Sequence, residues 1–163
     1  MINQFIQYQQ SSYNEIVGVE AEFSVVVGRA LIRCSVDRLE VTSDGALYVI
    51  DFNTGGTALS KQDSLENKQM QAYQLAIVEG GFAISHPSTK SAGAELVYLG
   101  TSTKEASKRS QPPIDPDLIR AEVIELADGM GANNFLAMIN KRCVQCSVRT
   151  SCPIQSDGRT VIG

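Results

Sequence analysis

The sequence lacks the features that would point to a membrane or a secreted protein. No apolar run approaches the roughly 20 residues that a membrane-spanning helix needs. The amino terminus also lacks the basic and apolar regions of a signal peptide. We therefore expect a soluble, cytoplasmic protein with no membrane partner.

An excess of basic residues and a phosphate-binding loop are also missing. Lysine and arginine number 14 against 18 acidic residues, so the formal net charge is -4 at pH 7. This balance argues against binding of nucleic acid by bulk electrostatics, because domains that bind in this way are commonly basic. No G-x-x-x-x-G-K-S/T loop is present, so any motor activity must reside elsewhere. The one histidine, His86, has no acid or cysteine at ligand spacing and is given no catalytic role.

The length and the hydrophobic content are those of one ordinary globular domain. The chain has 163 residues, of which 43% are hydrophobic, and this is enough to form a real core. Residues 1–163 are therefore predicted to form a single domain. Their cysteine-containing end, residues 143–152, forms a separate segment of that domain.

The stretch from Cys34 to Gly56 predicts a β-hairpin with a carboxylate on each strand. The first strand alternates and is β-branched, residues 43–45 end in the strong turn signal Asp-Gly, and the second strand is an apolar run. Asp37 and Asp51 are therefore expected on neighbouring strands.

The two aspartates have two interpretations. A buried aspartate is costly unless a cation or hydrogen-bond donors compensate it, and two together suggest a hard metal. Mg2+ uses one or two carboxylates, keeps several waters and completes its shell with substrate phosphate. In the alternative, one aspartate pairs with Arg38 and the other caps the turn. The hairpin alone favours this alternative.

The apolar pattern predicts the order helix, three strands, helix, strand, helix. This order indicates an α/β (α+β) fold with a central mixed β-sheet flanked by helices. The extended segments are predicted at residues 17–27, 30–41, 47–52 and 94–100, the two long helices at 61–78 and 115–140, and a polar, basic loop at 101–113.

The first long helix carries a polar residue on its apolar stripe. The stripe is predicted to face the sheet and consists of Leu65, Gln69, Ala72, Tyr73 and Ala76. Gln69 must then find a hydrogen-bond partner. A nearby backbone carbonyl would satisfy Gln69, and Tyr73 could be a core residue only.

Three cysteines, Cys143, Cys146 and Cys152, form a C-x2-C-x5-C cluster near the end of the chain. In a protein of cytosolic character such a cluster favours a metal over disulfides. The residues alone leave open a zinc site or a disulfide formed by oxidation.

The order and spacing of these motifs resemble the RecB-type nucleases of the PD-(D/E)XK superfamily. The resemblance rests on Ser-Val-Asp-Arg-Leu at 35–39, Val-Ile-Asp-Phe-x-Thr-Gly at 49–55 and Gln-x-x-x-Tyr at 69–73. Residues 19–23, residues 94–100 and the cysteine segment extend it to the carboxy-terminal nuclease module of actinobacterial AdnA/AdnB-type helicase-nucleases. The resemblance covers nearly the whole chain, and family members usually have a longer amino-terminal helical segment. We therefore expect a fragment of a larger protein.

The resemblance implies a restriction-endonuclease-like core and a metal-dependent DNA nuclease. Asp37 and Asp51 would hold Mg2+ or Mn2+, and Gln69 and Tyr73 would contact the DNA backbone or support the metal site. The terminal cysteines would join a fourth cysteine to hold a [4Fe-4S] cluster in the intact protein. In this fragment, an incomplete or lost cluster is a third open state of the three cysteines. The implied partners are DNA, an ATP-dependent helicase domain and a partner subunit, acting in double-strand break repair and recombination.

Two positions depart from the family pattern. Asn53 stands where the family usually has a lysine. That lysine positions the attacking water or stabilises charge on the phosphate in the transition state, and an amide replaces it poorly. Cys34 stands at a glycine position and is therefore a poor candidate for the fourth cluster ligand. Lys61 or Lys68 could supply the missing cation. The alternative function is a catalytically degenerate nuclease fold that serves as a DNA-binding or structural module.

Overall fold

A computed structural model describes residues 1–11, 14–133 and 137–155. The chain divides into two compact units, Met1–Glu125 and Leu126–Gly163. In chain order the elements are α1 (Ile2–Ser11), β1 (Glu15–Val27), β2 (Ala30–Val41), β3 (Leu47–Asn53), α2 (Lys61–Leu65), α3 (Lys68–Val78), β4 (Ser91–Tyr98), β5 (Ser107–Gln111) and α4 (Pro116–Gly131), followed by 3-10 turns at Lys141–Gln145 and Arg149–Ser151.

The first unit is built on one five-stranded sheet with the order β1-β2-β3-β4-β5. Strands β1 to β3 form an antiparallel meander, β4 runs parallel to β3, and β5 is antiparallel to β4. The parallel step requires a crossover, and α2 and α3 lie within it. The prediction of a mixed sheet with flanking helices is confirmed.

The hairpin turn forms where the sequence predicts it. Gly45 has a φ of 77°, a left-handed conformation that glycine adopts without strain. The Thr42 backbone nitrogen donates to the Ala46 carbonyl at 2.9 Å, and the Thr42 hydroxyl donates to Asp44 Oδ1 at 2.6 Å. Local turn chemistry therefore fixes the register of β2 against β3.

The sheet has an apolar core on each face. The larger core contains Leu47, Val49 and Leu96 from the sheet and Met70 and Ile77 from α3. The smaller core lies on the other face, where Ile50 and Val97 pack with Tyr8 of α1. Alternate residues of β3 therefore face opposite cores, as expected for a strand buried on both sides.

Three predicted boundaries were wrong. Residues 101–113 contain the edge strand β5, whose polar sequence gives no apolar pattern but whose backbone pairs with β4. The helix predicted at 61–78 is two helices, because Ser60 and Asn67 each cap a new first turn with their side chains. The helix predicted to reach residue 140 ends at Gly131. Glycine weakens helices, and residues 137–140 are not helical. Residues 134–136 of the predicted helix, which include Phe135, lie outside the described residues.

The described end of the second unit consists of short 3-10 turns. Asn140 caps the first of them by accepting a hydrogen bond from the Arg142 backbone nitrogen at 2.9 Å. The Cys143 sulfur accepts one from the Asn140 backbone nitrogen at 3.2 Å. The cysteines therefore lie on a chain of local turns.

Candidate active site

The site begins where the pairing between β2 and β3 ends. The last residue pair of this ladder is Arg38 with Ile50, so Asp37 and Asp51 come directly after it. The Phe52 backbone nitrogen, which has no partner in the ladder, donates to Asp37 Oδ2 at 2.5 Å. The Asp37 carboxylate thus replaces the missing strand pairing at this point.

The two carboxylates influence each other. Both aspartates are partly buried. The pKa of Asp51 is raised, first by burial and second by the charge of Asp37, and a hydrogen bond from Tyr73 opposes the rise. The pair therefore lies close enough for electrostatic repulsion, which a bound cation would relieve.

Helix α3 supplies two polar groups to this pair. The Tyr73 hydroxyl donates to Asp51 Oδ1 at 3.2 Å. Gln69 Nε2 lies 2.7 Å from the Tyr73 hydroxyl and 3.4 Å from Asp51 Oδ2. The pKa of Tyr73 is raised, mainly because its ring is buried, so the phenol stays protonated as a donor. The structure therefore brings Asp37, Asp51, Gln69 and Tyr73 together.

The predicted orientation of the helix stripe was partly wrong. Tyr73 is buried, 4% exposed, and its ring contacts the core residue Phe23 edge-on at 6.2 Å. Gln69 is exposed and Leu65 is 46% exposed, so neither faces the core. The buried amide of α3 is that of Gln74 instead. Its side chain donates to Gln111 Oε1 at 2.9 Å and accepts from the Ser91 hydroxyl at 2.9 Å.

The alternative explanation of the two aspartates does not fit the structure. Arg38 pairs with Glu40 at 3.0 Å and not with Asp37. Asp51 bonds to α3 side chains and takes no part in the turn, whose carboxylate is that of Asp44. Neither aspartate therefore has the partner that the alternative assigned to it.

Asn53 is placed near the site but its side chain is engaged in a loop. Its Oδ1 accepts a hydrogen bond from the Gly55 backbone nitrogen at 2.7 Å, which forms an Asx turn. A Cβ atom on Gly55 would lie 2.8 Å from this oxygen, so a larger residue there would displace the Asn53 side chain. Lys68 does not supply the missing cation, because it pairs with Glu122 of α4 at 2.5 Å. Lys61 lines a separate cavity with Arg109.

The carboxylate pair fits a hard divalent cation by its chemistry. Mg2+ and Mn2+ prefer oxygen ligands, and Mg2+ sites often use only one or two carboxylates. Within residues 1–11, 14–133 and 137–155, no group of three His, Cys, Asp or Glu side chains is arranged to hold a metal. Asp37 and Asp51 are thus the residues that could hold such an ion.

The cysteines are free thiols. Cys34 is exposed on β2, where it pairs with Phe23 of β1. Cys143, Cys146 and Cys152 form no disulfide either. The [4Fe-4S] cluster that the resemblance implies remains a prediction.

Sequence reasoning missed the contribution of Phe52 to the site and the burial of the neighbouring Arg38. Phe52 contributes its backbone nitrogen, which no sequence pattern reveals. Arg38 lies on the opposite face of the sheet, where it is 2% exposed. In addition, no helix in the described part of the chain is both long and apolar enough to cross a membrane.

Comparison with known proteins identifies the fold and the family. No curated protein matches the chain. The chain is similar to the crystal structure of SSO0001, with a TM-score of 0.51 and 18% identity over 93% of this chain and 67% of that chain. At this identity the likeness shows the fold alone. The model of the PD-(D/E)XK nuclease superfamily matches residues 1–153. With this match over most of its length, the chain belongs to the PD-(D/E)XK nuclease superfamily.

Proposed function

We propose that this chain is a metal-dependent DNA nuclease domain. The observation that carries the proposal is the pair of partly buried carboxylates at the end of the hairpin, where burial and, second, the charge of Asp37 raise the pKa of Asp51. Perturbed carboxylates of this kind are typical of functional sites. Family membership gives the reaction class, which is hydrolysis of a phosphodiester.

Four side chains divide the work in this proposal. Asp37 and Asp51 hold Mg2+ or Mn2+, which supplies an activated water and stabilises charge on the scissile phosphate. The protonated Tyr73 fixes Asp51 through its hydrogen bond. Gln69 is exposed beside Tyr73, where its side-chain amide would contact the DNA backbone.

We further propose that residues 1–163 act as one cytoplasmic module of an ATP-dependent helicase-nuclease in double-strand break repair. The support is the resemblance to AdnA/AdnB-type enzymes. In the intact protein, Cys143, Cys146 and Cys152 would help to hold a [4Fe-4S] cluster, because cuboidal clusters need several thiolates. The DNA, the helicase domain and a partner subunit are then the expected partners.

A degenerate nuclease fold is the second candidate, and one observation favours it. Asn53 occupies the usual lysine position and its oxygen is engaged with Gly55. The site therefore has no cation there to stabilise the phosphate in the transition state.

Cleavage of single-stranded DNA with Mn2+ separates the two candidates. In the first candidate the natural chain cuts, and Asp51→Asn lowers the rate by about 100-fold or more. Glu105→Gln is the matched control, because Glu105 is an exposed acid on the loop before β5 and its loss should leave cutting unchanged. If only Asn53→Lys cuts, the degenerate fold is the correct candidate.

A further inference from the structure

Arg38 is a charged residue inside the protein core. It is 2% exposed and lies on the face of the sheet that α1 covers. Its guanidinium pairs with Glu40 at 3.0 Å and donates to Gln9 Oε1 at 2.5 Å. Within the described residues, Arg38 Nε has no hydrogen-bond partner. A hydrophobic residue of similar volume would often give an equally stable core, so stability alone does not account for this arginine.

The guanidinium is stacked against aromatic rings. Its central carbon lies 5.0 Å from the ring centroid of Tyr8 and 5.3 Å from that of Phe52. The Phe52 ring also makes edge contacts with Phe5 at 5.2 Å and with Tyr8 at 5.6 Å. Cation-π and edge contacts of this kind favour one ring position. The Phe52 ring is therefore held by Arg38 and by α1 together.

The backbone of Phe52 transmits this position to the candidate active site. Its nitrogen donates to Asp37 Oδ2 at 2.5 Å, and its peptide bond is shared with Asp51. The β2–β3 ladder ends one pair earlier, with Arg38 and Ile50. At the level of the two carboxylates, the Phe52 amide thus replaces the ladder as the link between the strands.

We propose that Arg38 is a positioning residue for the metal site. It fixes the Phe52 ring, and the Phe52 amide in turn orients the Asp37 carboxylate. This inference rests on the proposed function, because the carboxylate is oriented for a divalent ion. Arg38 touches neither that ion nor the substrate, since its side chain lies on the α1 face. Loss of an outer partner of a metal ligand typically lowers metal affinity by about 10- to 100-fold.

The test measures two properties that do not depend on cleavage. The first is the affinity for Mn2+, followed by electron paramagnetic resonance without DNA. The second is the Phe52 amide resonance of the metal-free protein in a nitrogen-proton NMR spectrum. Arg38→Met should shift this resonance and weaken Mn2+ binding by about 10-fold or more. Arg38→Lys should bring the Phe52 resonance and the Mn2+ affinity part of the way back to those of the natural protein, because it restores a cation.

Ile50→Val is the matched control. Ile50 is 1% exposed, belongs to the same small core and lies on the same strand as Phe52. The substitution should cost about 1 kcal/mol of stability, yet leave the Phe52 resonance and Mn2+ affinity unchanged. If it changes both as Arg38→Met does, the effect is general destabilisation and the inference is wrong.

The remaining outcomes also decide the question. A folded Arg38→Met protein with natural Mn2+ affinity and an unchanged Phe52 resonance would overturn the inference. Should Arg38→Met not fold, Phe5→Ala removes a ring contact at a residue that is 36% exposed, and the same two measurements apply. If the natural protein binds no Mn2+, the proposed function fails. The response of the Phe52 resonance to Arg38→Lys then still tests the positioning.

Discussion

On the α1 face of the sheet, Arg38 and Glu40 are 2% and 1% exposed and are paired with each other. Beside α3, Asp37 and Asp51 are partly buried and, within the described residues, receive hydrogen bonds from neutral donors only. Arg38 and Glu40 carry opposite charges that attract each other, whereas Asp37 and Asp51 carry like charges that repel each other. Opposite charges that lie together compensate each other inside the protein, whereas like charges that lie together indicate a site that binds a cation.

The largest effect is expected from breaking the ion pair of Arg38 and Glu40. Glu40→Gln leaves the Arg38 charge buried without its counter-charge, and it should lower the free energy of unfolding by about 3–5 kcal/mol. Urea unfolding at pH 7 measures this loss. The control is Glu122→Gln, which removes the Lys68 pair at side chains that are 39% and 68% exposed. An exposed pair contributes little, so the control should lose less than about 0.5 kcal/mol. Equal losses of unfolding free energy in the two variants would contradict the predicted difference between the buried and the exposed ion pair.

The pH dependence of stability tests the predicted repulsion between Asp37 and Asp51. The folded-state pKa of Asp51 is raised above the unfolded value of about 3.9. Ionised Asp51 therefore destabilises the folded state, and this penalty grows as pH rises from the unfolded to the folded pKa. In EDTA, Asp51→Asn should stabilise the protein more at pH 7 than at low pH. Urea unfolding at both pH values measures the difference, and a stabilisation independent of pH would contradict the prediction.

The smallest effect is expected from removing the hydroxyl of Tyr73, which donates a hydrogen bond to Asp51. Tyr73→Phe deletes the hydroxyl that donates to Asp51 Oδ1 at 3.2 Å, and should cost about 1 kcal/mol of stability. The pKa of Asp51 should rise further, because the hydroxyl stabilises the carboxylate. An NMR titration of the Asp51 carboxyl carbon follows this change. Tyr98→Phe is the control, since Tyr98 is also buried in the larger core. An unchanged Asp51 titration in Tyr73→Phe would show that the hydroxyl has no role.

The candidate site was largely predictable because its signals are local. Asp37 and Asp51 lie on two neighbouring strands that an Asp-Gly turn joins, and the register of these strands follows from that turn. Gln69 and Tyr73 lie one helical turn apart, so they contact the same point. The side-chain state of Asn53 was not predictable, because it depends on the loop conformation at Gly55.

The sequence alone determined the mixed sheet with its helices, the hairpin and the acidic pair, because periodicity and turn chemistry act between near neighbours. Only the tertiary structure decided that residues 107–111 form a strand, since their backbone finds its partner in β4 and their side chains carry no strand pattern. It also decided that Arg38 is stacked between α1 and Phe52. Such contacts join residues that are distant in the sequence, and their energy depends on burial that arises only when the chain has folded.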